Sequence, residues 1–383
     1  MESVWHMFFY HHTIGDDGGG WLHNGSVTGW FVICGASLLL GSCLFPCLLW
    51  SFAGTDRGDS GKDCRPDQPL EGRATAAITS LHVYPVKACA GHKLEKATLG
   101  ARGLEMDRLW MIVDGNGRFM SQRRCPKMAL IKPSLPKTMD EPLLLSAPDM
   151  PDIEVPVMTR VGLGGSGEGG ELVEVEVWQD TCRARDQGNT VASWIRAFLD
   201  TDHLRLVRME DNFVRSTDPN FGTGFRTGFA DGFPMLLTAE ESLGDLNARM
   251  PLGECIGMDR FRPNIVVQGW GAWAEDEWTK IRVAGINMRT PKPCGRCSVP
   301  TINQRTLERR REPRATMEKF RTGEKLGFWK KSWAKNYFFG MNVLHERRGV
   351  LRVGDEVEVL RMASNTTVDG RGKEGSTSVL KAD

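Results

Sequence analysis

Residues 109–121, with the sequence LWMIVDGNGRFMS, contain two β-prone runs on either side of a turn rich in Asp, Asn and Gly. Branched and aromatic side chains favour strands, and such a turn between two of them predicts a β-hairpin. Helical spacing predicts helices at residues 193–199 and 240–250. Alternating or clustered apolar residues predict further strands at residues 81–84, 171–178, 264–267, 280–284, 286–289, 338–344 and 356–360. Strands outnumber helices at short intervals, which favours a β-barrel or mixed α+β fold over a doubly wound sheet.

Composition excludes several classes of protein. The chain has 383 residues, with 49 Lys and Arg against 48 Asp and Glu, so its net charge is +1. The length fits two or three domains, and the balanced charge argues against a dedicated nucleic-acid-binding protein. Hydrophobic residues make up 40% and charged residues 25%, which excludes collagen-like, disordered and multi-span membrane proteins. Ten cysteines are too few for a disulfide scaffold. No glycine-rich loop of Rossmann or P-loop type follows a predicted strand, so nucleotide binding is not expected.

An uncharged segment near the N-terminus predicts a single transmembrane anchor. Residues 30–52, WFVICGASLLLGSCLFPCLLWSF, exceed the roughly 20 apolar residues that a helix needs to cross a bilayer. Trp30 and Trp50 lie near its two ends, where indoles favour the membrane interface. A cleaved signal peptide is the alternative, but residues 1–29 contain no Lys or Arg. Basic residues after the segment predict a cytosolic C-terminal part and a short exoplasmic N-terminus, residues 1–29.

A closely spaced pair of cysteines is the first candidate for chemistry. Cys294 and Cys297 form a CxxC motif without a second CxxC or a His pair, so a structural zinc site is not expected. The β-like run at residues 298–302 argues against a thioredoxin-type site, which requires a helix there. A single thiolate that binds a soft metal fits the motif, and Lys292 and Arg296 would favour a thiolate and attract an anion. Ordinary buried cysteines are the alternative.

Three cations lie within or beside apolar segments: Lys87 in YPVK, Arg108 in DRLW and Arg262 in FRPN. Lys and Arg are rarely buried without a partner. A local salt bridge explains any one of them, but three in such surroundings indicate a shared anionic ligand.

Five segments together carry a family resemblance. Their order and spacing are similar to those of the molybdenum cofactor sulfurase C-terminal (MOSC) domain with its N-terminal β-barrel partner, over about residues 77–361. With the anchor, the chain resembles the mitochondrial amidoxime-reducing components. The segments are YPVK at 84–87, GLEMDRLW at 103–110, ADGFP at 230–234, FRPNI at 261–265 and PCGRC at 293–297.

The resemblance implies a strand-rich α+β fold behind a single transmembrane helix. Residues 77–200 would form the MOSC N-terminal β-barrel domain and residues 201–362 the MOSC domain. A polar linker at 53–76 would precede them, and a disordered tail at 363–383 would follow. The glycine-rich run at 162–170 predicts a flexible surface loop.

The resemblance also implies a molybdenum–molybdopterin cofactor. Cys297 would be the metal ligand, a soft donor that suits the metal, whereas Cys294 matches a position that the family does not use. Lys87, Arg108 and Arg262 would hold the pterin and its phosphate, because Arg forks suit phosphate oxygens. Further contacts would come from Gly295, Arg296, Asn264 and Asn342. The chain departs from the family at Ala88, where animal members carry Ser, and at Gly232-Phe233, where they carry Thr-Ser.

The activity that the resemblance implies is reduction of N-hydroxylated compounds, such as amidoximes and hydroxylamines. Electrons would come from cytochrome b5 and its reductase, on the outer mitochondrial membrane or, alternatively, the endoplasmic reticulum. A solvated surface accounts for the basic run at 309–314, and steering of an acidic partner is the alternative. Two other functions stay open: a module that carries molybdenum cofactor or sulfur without turnover, and a membrane-tethered interaction protein without a cofactor.

Overall fold

The computed structural model describes residues 76–138, 141–156, 170–328 and 331–363. Among these residues, no helix is both long enough and apolar enough to cross a bilayer. Several predicted segments lie outside or largely outside the described residues: the anchor at 30–52, the linker at 53–76, the glycine-rich loop at 162–170 and the tail at 363–383.

The described chain is strand-rich, which confirms the predicted fold class, and its core is built from 18 strands and three α-helices. The strands are β1 (Ala76–Val83), β2 (His92–Leu94), β3 (Lys96–Gly100), β4 (Gly103–Leu104), β5 (Trp110–Val113), β6 (Lys132–Pro133), β7 (Leu143–Ser146), β8 (Ile153–Val155), β9 (Leu172–Val177), β10 (Asp180–Asp186), β11 (Arg205–Met209), β12 (Met235–Ala239), β13 (Ile265–Gln268), β14 (Trp278–Val283), β15 (Ile286–Gly295), β16 (Phe338–His345), β17 (Gly349–Arg352) and β18 (Glu356–Met362). The helices are α1 (Asn189–Leu199), α2 (Glu240–Arg249) and α3 (Arg314–Phe320).

Seven strands form a closed barrel in the order β13-β12-β16-β15-β14-β18-β1, because β1 also pairs with β13. The pairing of β1 and β13 is antiparallel and sets Leu81 opposite Ile265. At its other edge, β1 pairs with β18 and sets Ala76 opposite Val357. All four of these side chains are fully buried. Closure removes the exposed strand edges that an open sheet would leave, and the apolar interior fixes the register.

A second core is built around a four-stranded antiparallel sheet in the order β5-β11-β10-β9. Helix α1 contributes Trp194, Ile195 and Phe198 to this core, where they cluster with Ile112 and Leu206. Phe198 follows Trp194 by four positions and Ile195 by three, so the three side chains share one face of α1. Strand β2 pairs with β1 beside the barrel, and two three-stranded sheets, β17-β3-β4 and β6-β7-β8, complete the described strands.

The predicted hairpin is confirmed in a short form, and one local prediction was wrong. The hairpin turn has a 2.9 Å hydrogen bond from Gly117 N to Asp114 O, and the arms join at an antiparallel bridge between Val113 and Phe119, with Met120 N donating to Ile112 O at 2.8 Å. At its other edge, β5 pairs along its length with β11. The second arm also contacts β9, because Phe119 N donates to Glu176 O at 3.2 Å. After the CxxC motif, Val299–Thr301 is a 3-10 helix and not β-like.

The other predicted elements are confirmed, with shifted ends. Strands β1, β9, β13, β14, β15, β16 and β18 and helices α1 and α2 lie where the sequence pattern places them. Strand β15 extends well beyond its predicted end and carries the chain into the CxxC motif. The predicted boundary between two domains at residue 200 stays a prediction.

Candidate functional site

A pocket of about 160 Å³ is lined by loops that begin or end barrel strands and by loops of the second core. Gly295 does not line the pocket; it lies at the end of β15, where an added Cβ would contact Phe338. The other predicted site residues all line it: Lys87, Arg108, Arg262, Asn264, Arg296, Cys297 and Asn342.

Two guanidinium groups share one tyrosine ring in this pocket. The Cζ atoms of Arg108 and Arg262 each lie 4.2 Å from the ring centre of Tyr84. Tyr84 is 5% exposed, and burial raises its pKa to about 12, so the phenol is neutral and adds no charge to offset the cations. Burial lowers the pKa of Arg262 to about 10, which still leaves it charged at neutral pH. The Nη2 atom of Arg262 is buried without a hydrogen-bond partner among the described residues. A buried donor of this kind needs an acceptor that the described residues do not supply, such as an anion or an ordered water.

Lys87 supplies a third cation, and its charge is balanced at the mouth of the pocket. Its Nζ atom donates to Asp231 Oδ1 at 2.5 Å and to Phe229 O at 2.8 Å. Burial lowers the pKa of Lys87, and the Asp231 carboxylate opposes that shift. Arg215, itself 4% exposed, fixes the loop that carries Asp231, because its Nη2 atom donates to Asp231 O at 2.9 Å and its Nη1 atom to Gly228 O at 2.8 Å.

Asn264 positions Arg108. Its Oδ1 atom accepts from Arg108 Nη1 at 3.0 Å and from Leu236 N at 3.2 Å, and its Nδ2 atom donates to His82 O at 3.1 Å. The side chain is 1% exposed. Because protein groups already use the amide, its contribution to the pocket is the orientation of the Arg108 guanidinium.

The CxxC motif distinguishes its two sulfur atoms. Arg296 Nη1 donates to Cys294 Sγ at 3.0 Å, and Arg296 Nη2 donates to Phe261 O at 2.7 Å. Cys297 is half-buried in the pocket lining. Among the described residues, no hydrogen bond involves the Cys297 sulfur, whereas its carbonyl oxygen accepts from Tyr337 Oη at 2.8 Å. The chain around Cys297 is thus held while its thiol stays available to a ligand.

Four residues of the lining adopt left-handed backbone conformations that favour glycine. Ala88, Arg108, Trp178 and Arg262 have φ values of 67°, 46°, 58° and 54°. Such conformations cost about 1–3 kcal/mol each and cluster at functional sites. Arg108 is fixed on both sides, since its N donates to Tyr84 O at 2.7 Å and its O accepts from Phe229 N at 2.8 Å. Fixed backbone at two of the three cations gives the pocket a rigid arrangement of charge.

The two departures from the family pattern have simple structural consequences. Ala88 lines the pocket, and its carbonyl oxygen accepts from Gln122 Nε2 at 2.8 Å. A Cβ added to Gly232 would meet no atom within 4 Å, and Phe233 is 8% exposed and packs edge-on against Phe221. Neither departure removes a cation or the thiol.

The donor set decides what the pocket can hold. Among the described residues, no group of three or more His, Cys, Asp or Glu could bind a metal. A metal here would therefore bring most of its own ligands and take one thiolate from the chain. Several cations, an unsatisfied arginine nitrogen and one available thiol fit an anionic, metal-bearing organic cofactor.

Comparison with known proteins agrees with this geometry. Residues 75–202 match the MOSC N-terminal beta barrel domain and residues 225–358 match the MOSC domain. Mitochondrial amidoxime-reducing component 1 of Homo sapiens is 30% identical over 293 residues, which cover 74% of this chain and 82% of that protein. Mitochondrial amidoxime reducing component 2 of Bos taurus is 29% identical over 302 residues, covering 76% and 86%. Molybdenum cofactor sulfurase of Drosophila persimilis is 30% identical over 264 residues, covering 66% of this chain and 32% of that protein.

The chain therefore belongs to the MOSC-domain family, in the group that contains the mitochondrial amidoxime-reducing components. The resemblance stated from the five sequence segments is confirmed. The individual roles assigned to the pocket residues stay predictions.

Sequence patterns missed three residues of the site. Asp231 pairs with Lys87, which lies 144 positions earlier in the chain. Arg215 donates to the carbonyl oxygen of Asp231 and so fixes the loop that carries it. Trp178 donates from Nε1 to Asp231 Oδ1 at 3.1 Å. Trp178 directly follows the alternating strand β9, so an exposed aromatic residue at a strand end was the available signal. Asp231 and Arg215 each contact a residue far away in the sequence, so no local sequence pattern predicts either contact.

Proposed function

We propose that this protein is a molybdenum-cofactor-dependent reductase of N-hydroxylated compounds such as amidoximes. The observation that supports it most is the available Cys297 thiol in a pocket that also contains the unsatisfied, buried Nη2 atom of Arg262. The relatives named as amidoxime-reducing components support the choice of substrate class.

Each cofactor contact has a candidate residue in the pocket. The Cys297 thiolate would bind molybdenum, and Arg108 and Arg262 would bind the pterin phosphate with their guanidinium forks. Lys87 would contribute a further positive charge beside Asp231. When bound, the cofactor would supply the metal centre that accepts oxygen and passes two electrons to the substrate.

The remaining residues orient groups and exclude water. Asn264 holds the Arg108 guanidinium through a 3.0 Å hydrogen bond. Arg296 is fixed between Cys294 Sγ and Phe261 O, so its positive charge stays within the CxxC motif. Phe119 and Phe233 line the pocket with apolar surface, which strengthens the electrostatic contacts inside by displacing water.

Electron supply and location are parts of the same proposal. We propose cytochrome b5 and its reductase as the electron source, and attachment to the outer mitochondrial membrane through residues 30–52, with the endoplasmic reticulum as the alternative. The relatives' mitochondrial names support this location. In the basic run, Arg310 pairs with Glu254 and Glu308 and Arg314 pairs with Glu318. These ion pairs reduce the charge that the run offers to an acidic partner.

Metal analysis combined with benzamidoxime reduction tests the proposal. The full-length chain is purified from cells supplied with molybdate, and turnover is followed with cytochrome b5 and its reductase and with a small chemical reductant. We expect bound molybdenum and repeated turnover. Cys297→Ala should lose the metal and both activities, because it removes the thiolate. The matched variant Cys294→Ala, which removes only an acceptor of Arg296, should retain most of both.

Two results contradict the proposal. Activity that survives Cys297→Ala would reject the ligand assignment. Protein that is free of molybdenum would reject the cofactor and favour a cofactor-free interaction protein. The relationship to a molybdenum cofactor sulfurase supports a carrier of cofactor or sulfur as the second candidate. A carrier would bind molybdenum and transfer its cargo without reducing benzamidoxime.

A further inference from the structure

An exposed tryptophan stands in a strained position at the mouth of the pocket. Trp178 lies in the two-residue turn between β9 and β10, where Val177 pairs with Asp180. Its φ is 58°, a left-handed conformation that is a genuine outlier for a bulky side chain. Glycine, asparagine or aspartate usually fills such a turn position. Half of Trp178 is nevertheless exposed to solvent (50%), so burial of the ring does not account for the residue.

Neighbouring groups hold the indole in one orientation. Its Nε1 atom donates to Asp231 Oδ1 at 3.1 Å, and the same carboxylate oxygen accepts from Lys87. The ring of Phe119 lies 5.2 Å from the indole, with the two planes tilted by 52°. The hydrogen bond at Nε1 and the contact with the Phe119 ring together fix the orientation of the indole. The exposed part of the indole is therefore a preorganised apolar surface beside the pocket.

A cation without an acidic partner lies against this surface. The Arg123 guanidinium is 4.9 Å from the indole centre. Its neighbours Arg118 and Arg124 pair with Glu176 at 3.2 Å and Asp114 at 3.1 Å. No salt bridge within the described residues involves Arg123. Its backbone is anchored instead, because Arg309 Nη2 donates to the Arg123 carbonyl oxygen.

The indole and the guanidinium connect two depressions of the surface. An outer depression is lined by Arg118, Arg124 and Glu176 together with four residues that also line the cofactor pocket. The shared residues are Phe119, Ser121, Arg123 and Trp178. A molecule that reaches the Cys297 pocket through the outer depression passes over this shared wall.

We infer that Trp178 and Arg123 form a substrate subsite for planar aromatic compounds that carry a carboxylate. The ring packs on the exposed indole, and the carboxylate binds the Arg123 guanidinium. The inference deepens the proposed function and rests on it for the reacting group, since the N-hydroxyl end of the ligand would point into the cofactor pocket. Arg118 and Arg124 would bind the ligand carboxylate less well than Arg123, because each already pairs with a carboxylate of the protein.

Binding of two unreactive probes tests the subsite without turnover. Isothermal titration of the full-length protein compares 4-carbamoylbenzoate with benzamide, which differ only in the carboxylate. We expect the carboxylate to improve affinity about tenfold, the effect of a charge-assisted hydrogen bond. Arg123→Gln should remove that preference and leave the affinity for benzamide within about twofold. Arg124→Gln is the matched control and should retain the preference.

A second variant tests the aromatic surface. Trp178→Gly removes the indole and suits the left-handed backbone, so we expect the variant to fold, and circular dichroism checks this. Affinity for both probes should fall about fivefold, the size of a single ring contact. An unchanged affinity in Trp178→Gly would overturn the role of the indole.

The outcomes separate this inference from the proposed function. Equal binding of the two probes, or an equal loss of preference in Arg123→Gln and Arg124→Gln, would overturn the subsite even if benzamidoxime is reduced. A preference that depends on Arg123 alone would support the subsite even if reduction and molybdenum were absent, in which case the reductase assignment fails by itself.

Discussion

Replacing Asn264 by alanine should destabilise the protein because one buried amide satisfies three separate groups. The variant leaves Leu236 N without the amide acceptor and His82 O without the amide donor, and it removes one of the two acceptors of Arg108 Nη1, the other being Asp107 Oδ2. An unsatisfied buried backbone group costs about 1–3 kcal/mol, so we expect a total loss of about 3 kcal/mol. That is a large part of the roughly 5–15 kcal/mol by which a domain is stable.

Urea unfolding, followed by far-ultraviolet circular dichroism, measures this loss as the change in the free energy of unfolding. The slope of that free energy against urea concentration should stay constant. Asn342→Ala is the matched control, because Asn342 also lines the pocket but donates at longer distances, 3.3 and 3.4 Å, to the carbonyls of Lys292 and Pro293. The control should cost less than about 1 kcal/mol.

The reasoning fails if Asn264→Ala and Asn342→Ala lose equal stability. It also fails if Asn264→Ala unfolds within about 0.5 kcal/mol of the natural protein, the usual effect of a surface substitution. Either result would mean that water replaces the amide, and Asn264 would then be free to act as a direct cofactor contact.

Two further predictions concern buried charges. Glu275 is fully buried with Oε1 unpartnered, and burial raises its pKa to about 7. Its protonated form therefore stabilises the fold fully below pH 4.5, and this stability is lost as pH rises through about 7. Glu275→Gln should flatten the pH dependence of the unfolding free energy by up to about 3 kcal/mol, and an unchanged pH profile would contradict this. Arg215→Met removes the donor to Gly228 O and Asp231 O, and chemical denaturation should show a loss of about 3 kcal/mol, whereas Arg183→Met, at an exposed arginine, should cost under about 1 kcal/mol.

Long or regularly alternating elements were visible in the sequence, and short or charged ones were not. Strand β9 alternates valine with glutamate and was predicted, whereas its partner β10 buries two small side chains, Cys182 and Ala184, and the charged Asp186. The sequence of such a strand shows little alternation between apolar and polar residues, so it does not predict a strand. Strands of two or three residues, such as β4 (Gly103–Leu104), are too short to show any period.

The candidate site was partly visible for a different reason. Lys87, Arg108 and Arg262 are conspicuous because charged residues stand where apolar ones are expected. Their arrangement around Tyr84 depends on contacts between distant segments, which no local pattern encodes. The strained backbone of Trp178 is likewise invisible in the sequence, since a tryptophan after a strand usually continues it.

The position of β1 in the barrel sets the order of events in synthesis. Strand β2 follows β1 directly and pairs with it, but the two neighbours of β1 in the barrel, β13 and β18, are among the later strands of the described chain, so β1 leaves the ribosome long before either of them exists. Pairing over such distances is slow. The same pairing carries Lys87, just after β1, toward Arg262, just before β13. A growing chain therefore has no assembled anion cradle until β13 has been synthesised.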